Sequence, residues 1–127
     1  MIEISTKNAP SPSGHYSQAI VHNNIVYVSG QLPIDPLTGE KRVGSIEEQT
    51  EQALKNLSGI LKAAGSDIHN VIKTTVYVSD IELWDRVNAV YSRFFGEYRP
   101  ARVVVPTRDL HFGFQIEIEA IAAVTNF

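Results

Sequence analysis

The stretch from Phe114 to Ala123 restricts the fold of this chain more than any other part of the sequence. It is mostly apolar, and its residues alternate between two faces with the period of two that an extended strand requires. One face carries Phe114, Ile116, Ile118, Ala120 and Ala122, and the other carries Gln115, Glu117, Glu119, Ile121 and Ala123. A strand this apolar belongs inside a sheet, where charged side chains are rarely buried without partners. The two carboxylates therefore indicate a solvated sheet face, a structural ion pair, or a site that handles water or a proton.

Five further strands are predicted upstream from runs of β-branched and aromatic residues. They cover residues 1–5, 19–21, 25–29, 68–78 and 101–105, and the final strand covers residues 114–124. Asn23 and Asn24 form the turn between the second and third strands, and Gly30 ends the third. Pro106 has no backbone N–H to donate, so it ends regular pairing or places its strand at an edge.

Two helices are predicted from capping residues and from apolar residues at helical spacing. The first has Ser45 as its N-cap with Glu48 three residues later, and Gly65 follows its C-cap. The second opens at Ser79 and stops at Gly96. Its apolar stripe is predicted to be core and consists of Trp84, Val87, Tyr91, Phe94 and Phe95.

These elements follow the order β-β-β-α-β-α-β-β and predict an α+β fold. We expect a single domain over residues 1–127, with a mixed β-sheet and two helices packed on one face. Two helices can cover only one face of such a sheet. The other face must therefore meet water or a partner.

Composition disfavours several classes of site and partner. The chain has no cysteine, which excludes disulfides, thiol nucleophiles and cysteine-based zinc sites. Its histidines lack metal-ligand spacing, so we expect no metal site; they are His15, His22, His69 and His111. A formal net charge of −3 without a basic stripe argues against nucleic-acid binding. No apolar run approaches the ~18 residues of a membrane helix, and no signal-peptide pattern opens the sequence, so we expect a cytoplasmic protein with no membrane partner.

Three arginines precede the final strand, and one of them is a candidate anion clamp. Arg102 follows a proline turn near the start of a strand, where it is a surface residue, an ion-pair partner of Glu97 or Glu119, or a bidentate clamp for a carboxylate or phosphate. Arg99 and Arg108 are predicted to be solvated. Residue patterns alone therefore lead to an α+β domain with a candidate anion pocket.

A set of motifs in fixed order resembles the reactive intermediate/imine deaminase family, RidA, formerly called YjgF. The segments are Asn8-Ala-Pro, Gly14-His-Tyr-Ser-Gln18, Val28-Ser-Gly-Gln-Leu-Pro33, Gln49 through Asn56-Leu57, Lys73-Thr-Thr-Val-Tyr-Val78, Val87-Asn-Ala-Val-Tyr91, Pro100-Ala-Arg102 and Ile116-Glu-Ile-Glu-Ala-Ile-Ala122. The resemblance implies a chorismate-mutase-like fold and a homotrimer with ligand sites in the clefts between subunits. It also implies hydrolysis of 2-imino acids or their enamine tautomers, such as 2-aminoacrylate or 2-iminobutanoate, to 2-keto acids and ammonia without a cofactor.

The resemblance assigns a role to individual residues of this chain. Arg102 matches the arginine that grips the substrate carboxylate, and Glu117 matches the acid that positions water. Tyr16 matches the tyrosine at the pocket rim. Ser29 and Gly30 match a Ser-Gly pair whose polar and backbone groups face the ligand.

Four positions depart from the family pattern. The resemblance places Val104 in the substrate site, at a position where the family often has cysteine, and His15 and His111 stand where proline is common. Pro106 interrupts a strand that is usually continuous. An alternative function is a noncatalytic module that binds a 2-keto acid or a similar metabolite for regulation. A nuclease or translation-inhibitor role, assigned to some relatives, is disfavoured by the acidic balance of the chain.

Overall fold

One mixed sheet and two helices make up the part of the chain that the computed structural model describes, residues 1–125. The strands are β1 (Ile2–Ile4), β2 (Ala19–His22), β3 (Ile25–Gln31), β4 (Val71–Val78), β5 (Ala101–Pro106) and β6 (Ile116–Ala123). The helices are α1 (Ile46–Ala63) and α2 (Trp84–Phe95). Three short 3-10 turns cover Ile68–Asn70, Ile81–Leu83 and His111–Gly113. The predicted α+β class and element order are confirmed.

The sheet has the order β1-β2-β3-β6-β4-β5, so the strand with the strongest apolar alternation lies in its interior. β6 pairs antiparallel with both β3 and β4, whereas β4 and β5 are parallel. β5 forms one edge of the sheet and ends at Pro106, as the missing N–H of proline predicts.

Both helices pack on one face of the sheet, and the hydrophobic core lies between the two layers. Along β6 the buried and half-buried residues alternate strictly, which places Ile116 and Ile118 in the core and turns Glu117 and Glu119 to the opposite face. Much of the rest of the core comes from α1 and α2 and includes Ala53, Leu54, Leu57, Ile60, Leu61, Val87, Val90 and Phe95. Within residues 1–125 no helix covers the sheet face that carries the two carboxylates, as predicted.

The ends of α1 follow the predicted capping pattern, but the start of α2 does not. The Ser45 hydroxyl accepts a hydrogen bond from the Glu48 N–H (3.1 Å), and Gly65 has a φ of 79°, the left-handed conformation of a residue that follows a C-cap. The prediction that Ser79 opens α2 is wrong. The Ser79 N–H instead donates to the Gln115 carbonyl oxygen, while the Asp80 carboxylate caps the 3-10 turn that precedes α2.

Several strand boundaries also differ from the prediction, mostly by one or two residues, and the differences in β3 and β4 have a structural cause. Gly30 does not end β3; the strand continues to Gln31 through a shift in register with β6 between Val28 and Gln31. β4 begins at Val71, because Asp67 caps a 3-10 turn over the preceding three residues. The register shift in β3 positions the candidate site.

Candidate active site

Glu117 lies against the backbone of Gly30 on the open face of the sheet. The register shift in β3 brings Gly30 so close that a Cβ atom there would stand 2.0 Å from Oε2 of Glu117. Glu117 is half-buried, since one side of its carboxyl group rests on this strand. Glycine at position 30 is therefore a condition for the placement of the Glu117 carboxyl group.

We expect Gly30→Ala to displace that carboxyl group and to lower any activity that depends on it by about ten- to a hundredfold, since a displacement near 1 Å at a reacting group has effects of this size. The clash is with a side chain and not with backbone, so the protein should still fold. Steady-state kinetics beside a thermal unfolding curve would measure both effects. Gly39→Ala, in the loop between β3 and α1, is the control for a loss of stability alone, because Gly39 has a φ of 75° that alanine adopts poorly. Full activity of Gly30→Ala would contradict the proposed contact.

Two neighbouring carboxyl groups on this face have different surroundings. Burial raises the pKa of Glu117, and the negative charge of Glu119 raises that pKa further. The Tyr77 hydroxyl donates a 2.5 Å hydrogen bond to Oε1 of Glu119, which holds that carboxylate in place and raises the pKa of Tyr77. A carboxyl group with a raised pKa beside a fixed carboxylate is suited to taking and returning a proton.

A shallow cavity of ≈ 330 Å³ opens over these groups and is lined by Gly30, Tyr77, Leu110, Glu117 and Glu119. A smaller cavity of ≈ 50 Å³ shares Gly30 with it and is bordered by Tyr16 and Phe112. The Ser29 hydroxyl donates to the Ser17 carbonyl oxygen (2.6 Å), so it anchors the segment that carries Tyr16. We call Tyr16, Gly30 and Glu117 the Glu117 half-site.

Arg102 lies in a different cavity, of ≈ 580 Å³, at the edge of the sheet beside α2. Its Nη1 donates to Oδ1 of Asn88 (2.8 Å), and its guanidinium carbon lies 4.8 Å from the ring centroid of Tyr91 and 5.3 Å from that of Trp84. Both distances are within the range of cation–π contacts. We call Asn88, Tyr91 and Arg102 the Arg102 half-site. Val104, two residues along β5, packs against the core beside it.

No carboxylate within residues 1–125 pairs with Arg102. The alternative of an ion pair with Glu97 or Glu119 is therefore wrong, and Glu119 is bonded to Tyr77 instead. Arg99 and Arg108 are exposed, as predicted. Arg102 thus combines a half-buried guanidinium with no neutralising partner in the described chain, which is the condition for binding a carboxylate from solution.

The two half-sites lie on opposite faces of the sheet within one chain. In the register of β4, Arg102 stands opposite Thr74 and Glu117 stands opposite Tyr77. Thr74 and Tyr77 are three residues apart, so they point to opposite faces. Thr74 is buried under α2, where its hydroxyl hydrogen-bonds Tyr91 (2.7 Å), whereas Tyr77 is on the open face. One copy of the chain does not bring Arg102 and Glu117 to the same small ligand.

The prediction that the whole α2 stripe is core is wrong at Trp84. Its side chain is 38% exposed, because it stands over Arg102 near the sheet edge and not over the centre of the sheet. Sequence reasoning also missed Asn88 as a neighbour of Arg102. The available signal was spacing: positions 84, 88 and 91 share one helix face, and a polar residue interrupts an aromatic stripe there.

Two other predictions concern metals and membranes. Across residues 1–125, histidine, aspartate and glutamate side chains form no cluster of three that would bind a metal ion. In the same part of the chain no helix has the length and apolar character needed to cross a bilayer.

The chain is similar to known proteins along nearly its whole length. A family model described as Endoribonuclease L-PSP matches residues 6–124. A RutC family protein of Pyrococcus horikoshii is 50% identical over 119 residues, which are 94% of this chain and 94% of the relative. The 2-iminobutanoate/2-iminopropanoate deaminase of Rattus norvegicus is 48% identical over 124 residues, 98% of this chain and 90% of the relative. The crystal structure of E. coli TdcF with bound serine matches with a TM-score of 0.93 and 34% identity, covering 98% of this chain and 100% of that chain.

Proposed function

Because the chain belongs to the Endoribonuclease L-PSP family and a relative 48% identical to it is named 2-iminobutanoate/2-iminopropanoate deaminase, we propose that it hydrolyses 2-imino acids to 2-keto acids and ammonia. The family that the ordered motifs predicted is confirmed. The substrates we propose are small 2-imino acids and their enamine tautomers, such as 2-iminobutanoate and 2-aminoacrylate. The observation that carries the proposal is the half-buried Arg102 guanidinium, which has no carboxylate partner within residues 1–125.

The chemistry requires few groups, since the carbon of a protonated imine is already a good electrophile. Arg102 binds the substrate carboxylate through two parallel N–H···O bonds. Glu117 accepts a proton from a water molecule as the oxygen bonds to the imine carbon. The same carboxyl group returns that proton to nitrogen. As the C–N bond breaks and ammonia leaves, the new hydroxyl group gives its proton back to the Glu117 carboxylate, and the 2-keto acid remains. Fixing the carboxylate and holding one water at attack distance supply the catalysis.

A complete site requires a second copy of the chain, and we propose a homotrimer in which Arg102 of one copy meets the Glu117 half-site of another. Two features support this assembly: the half-sites lie on opposite faces of the sheet, and neither helix of the described chain covers the face that carries Glu117. The same face exposes apolar side chains that a partner would cover, including Tyr27 at 48% and Val103 at 43%.

A ribonuclease function is the less favourable alternative, although the family description contains that word. Two carboxyl groups, Glu117 and Glu119, share the open cavity with Gly30 and Tyr77. Negative charge at this position repels a phosphodiester backbone. A 2-imino acid presents its single negative charge to Arg102 instead.

The test of the proposed function is a coupled assay in which a pyridoxal-phosphate dehydratase, supplied with serine or threonine, generates the imine. Purified protein should accelerate formation of the 2-keto acid above the rate of spontaneous hydrolysis. Keto-acid formation unchanged at any protein concentration would contradict the enzyme and favour noncatalytic binding.

Glu119→Gln should move the acidic limb of the pH profile of kcat/KM to lower pH. Glu117 must be deprotonated to act as a base, and the charge of Glu119 raises the pKa of Glu117, so removing that charge lowers this pKa. Tyr77→Phe is the matched control, because it deletes the hydrogen bond to Glu119 but keeps the charge. A limb that stays in place or moves to higher pH in Glu119→Gln would contradict the coupling.

A further inference from the structure

Asn88 stands between two aromatic residues on the face of α2 that covers Arg102. Trp84, Asn88 and Tyr91 are at positions i, i+4 and i+7 of the helix, so their side chains form one stripe. All three contact the guanidinium: the two rings through their faces, and Asn88 through its amide oxygen. Tyr91 is itself fixed by the hydrogen bond to the buried Thr74. The stripe thus limits the orientations that Arg102 can adopt.

The hydrogen bond to Asn88 uses only one end of the guanidinium. The guanidinium of arginine has five N–H donors, and within residues 1–125 the bond from Nη1 to Asn88 is the only hydrogen bond that the Arg102 side chain makes to protein. The edge formed by Nε and Nη2 stays available, and that edge carries two parallel N–H groups at the spacing of carboxylate oxygens.

A second arginine in the same chain shows how such an edge binds a carboxylate. Nε and Nη2 of Arg86 donate to the two carboxylate oxygens of Glu47, each at 2.7 Å. Arg86 is thereby neutralised by an internal partner, and it links α2 to α1. Arg102 differs because its internal partner is a neutral amide, which orients the group without cancelling its charge.

We propose that Asn88 is a positioning residue for carboxylate recognition: it holds Nη1 of Arg102 so that the Nε–Nη2 edge faces the substrate, and its neutrality preserves the charge that binds the substrate. This inference rests on the proposed function, in which Arg102 binds the carboxylate of a 2-imino acid. Charge alone should then distinguish aspartate from asparagine at position 88. Aspartate has almost the same shape, but it would pair with Arg102 and repel the ligand.

The experiment compares Asn88→Ala and Asn88→Asp with the wild type, by calorimetric titration of 2-oxobutanoate and by coupled kinetics. Losing one charge-assisted hydrogen bond should weaken 2-oxobutanoate binding and raise KM by about tenfold in Asn88→Ala. The nearly isosteric Asn88→Asp should do worse, by about 30- to 100-fold, because a like charge now stands beside the ligand carboxylate. In both variants kcat should change less than about threefold, since the lost interaction serves ground state and transition state alike.

Ala89→Asp is the matched control, because it adds the same charge at an exposed position one residue along α2. It should leave KM within about twofold of the wild type, as exposed charges are screened. If Asn88→Asp does not fold, Asn88→Ser replaces it, with an expected loss close to that of Asn88→Ala.

The results separate a positioning role of Asn88 from a purely structural one, and this inference from the proposed function. A purely structural role for Asn88 predicts that Asn88→Asp binds 2-oxobutanoate like the wild type, or loses thermal stability and kcat together, and either result overturns the inference. Wild-type protein that binds 2-oxobutanoate and deaminates imines, with KM unchanged in both Asn88 variants, overturns the inference alone. Failure of the wild type in both assays overturns the proposed function and this inference with it.

Discussion

Arg102→Ala is expected to lose 2-keto acid binding and turnover together, by about 30- to several-thousand-fold. The guanidinium is half-buried and has no carboxylate partner within residues 1–125, so a ligand carboxylate gains its full charge-assisted contact. Arg102→Lys should recover little of the loss. An ammonium group is a point charge that cannot form two parallel N–H···O bonds, and it would not keep the planar contacts with Tyr91 and Trp84.

Calorimetric titration of 2-oxobutanoate and the coupled assay measure both parts of this prediction. Arg93→Ala, an exposed arginine near the end of α2, is the control for loss of a surface charge. Normal affinity for the keto acid in Arg102→Ala would show that the carboxylate binds elsewhere.

Glu117→Gln is expected to lower kcat by about 10²–10⁴ while retaining much of the affinity for the keto acid. Glutamine keeps the size and polarity of the side chain and its place against Gly30, but it cannot accept a proton from water. Arg102→Ala should therefore lose binding and turnover together, whereas Glu117→Gln should lose turnover but retain binding. If Glu117→Gln turned over at the wild-type rate, Glu117 would not be the base.

The same substitution should stabilise the protein at neutral pH. Burial raises the folded-state pKa of Glu117, so the folded protein binds this proton more tightly than the unfolded chain does. The resulting stability is present at low pH and is lost as pH rises through the folded-state pKa. Glutamine cannot ionise, so the variant does not bear the cost of burying a charged carboxylate at neutral pH. Thermal unfolding of Glu117→Gln should occur at a higher temperature than that of the wild type at pH 7.5, and the difference should vanish near pH 4. A lower unfolding temperature of Glu117→Gln at pH 7.5 would contradict burial as the main cause of the raised pKa of Glu117.

Local patterns in the sequence predicted much of the fold because the physics that sets them is local. Alternation along 114–124 predicted which residues of β6 face the core, and Ser45 and Gly96 marked helix ends by their capping preferences. The Ser79 boundary failed because Asp80 follows directly: the Asp80 carboxylate accepts the capping hydrogen bond, while the Ser79 N–H donates to the Gln115 carbonyl oxygen.

The arrangement of the candidate site depends on contacts between distant parts of the chain. Arg102 and Glu117 follow each other closely in sequence, yet β5 and β6 lie on opposite sides of β4. Their faces are set by two separate registers with β4, which no pattern of spacing contains. The contact of Glu117 with Gly30 likewise depends on a register shift between β3 and β6. Residue identities and a family resemblance could therefore identify these side chains as candidates. They could not predict that the two lie apart within one copy.

The most direct test of a shared active site is the imine deaminase activity of the proposed trimers when they contain both Arg102→Ala and Glu117→Gln chains. Each variant alone should be nearly inactive. In randomly mixed trimers made by co-expression, a site is complete only where an intact Arg102 from one chain meets an intact Glu117 from its neighbour, so about a quarter of the wild-type activity should return. Activity that stays at the level of the separate variants, in mixed trimers verified by mass, would contradict a site built from Arg102 and Glu117 of two copies.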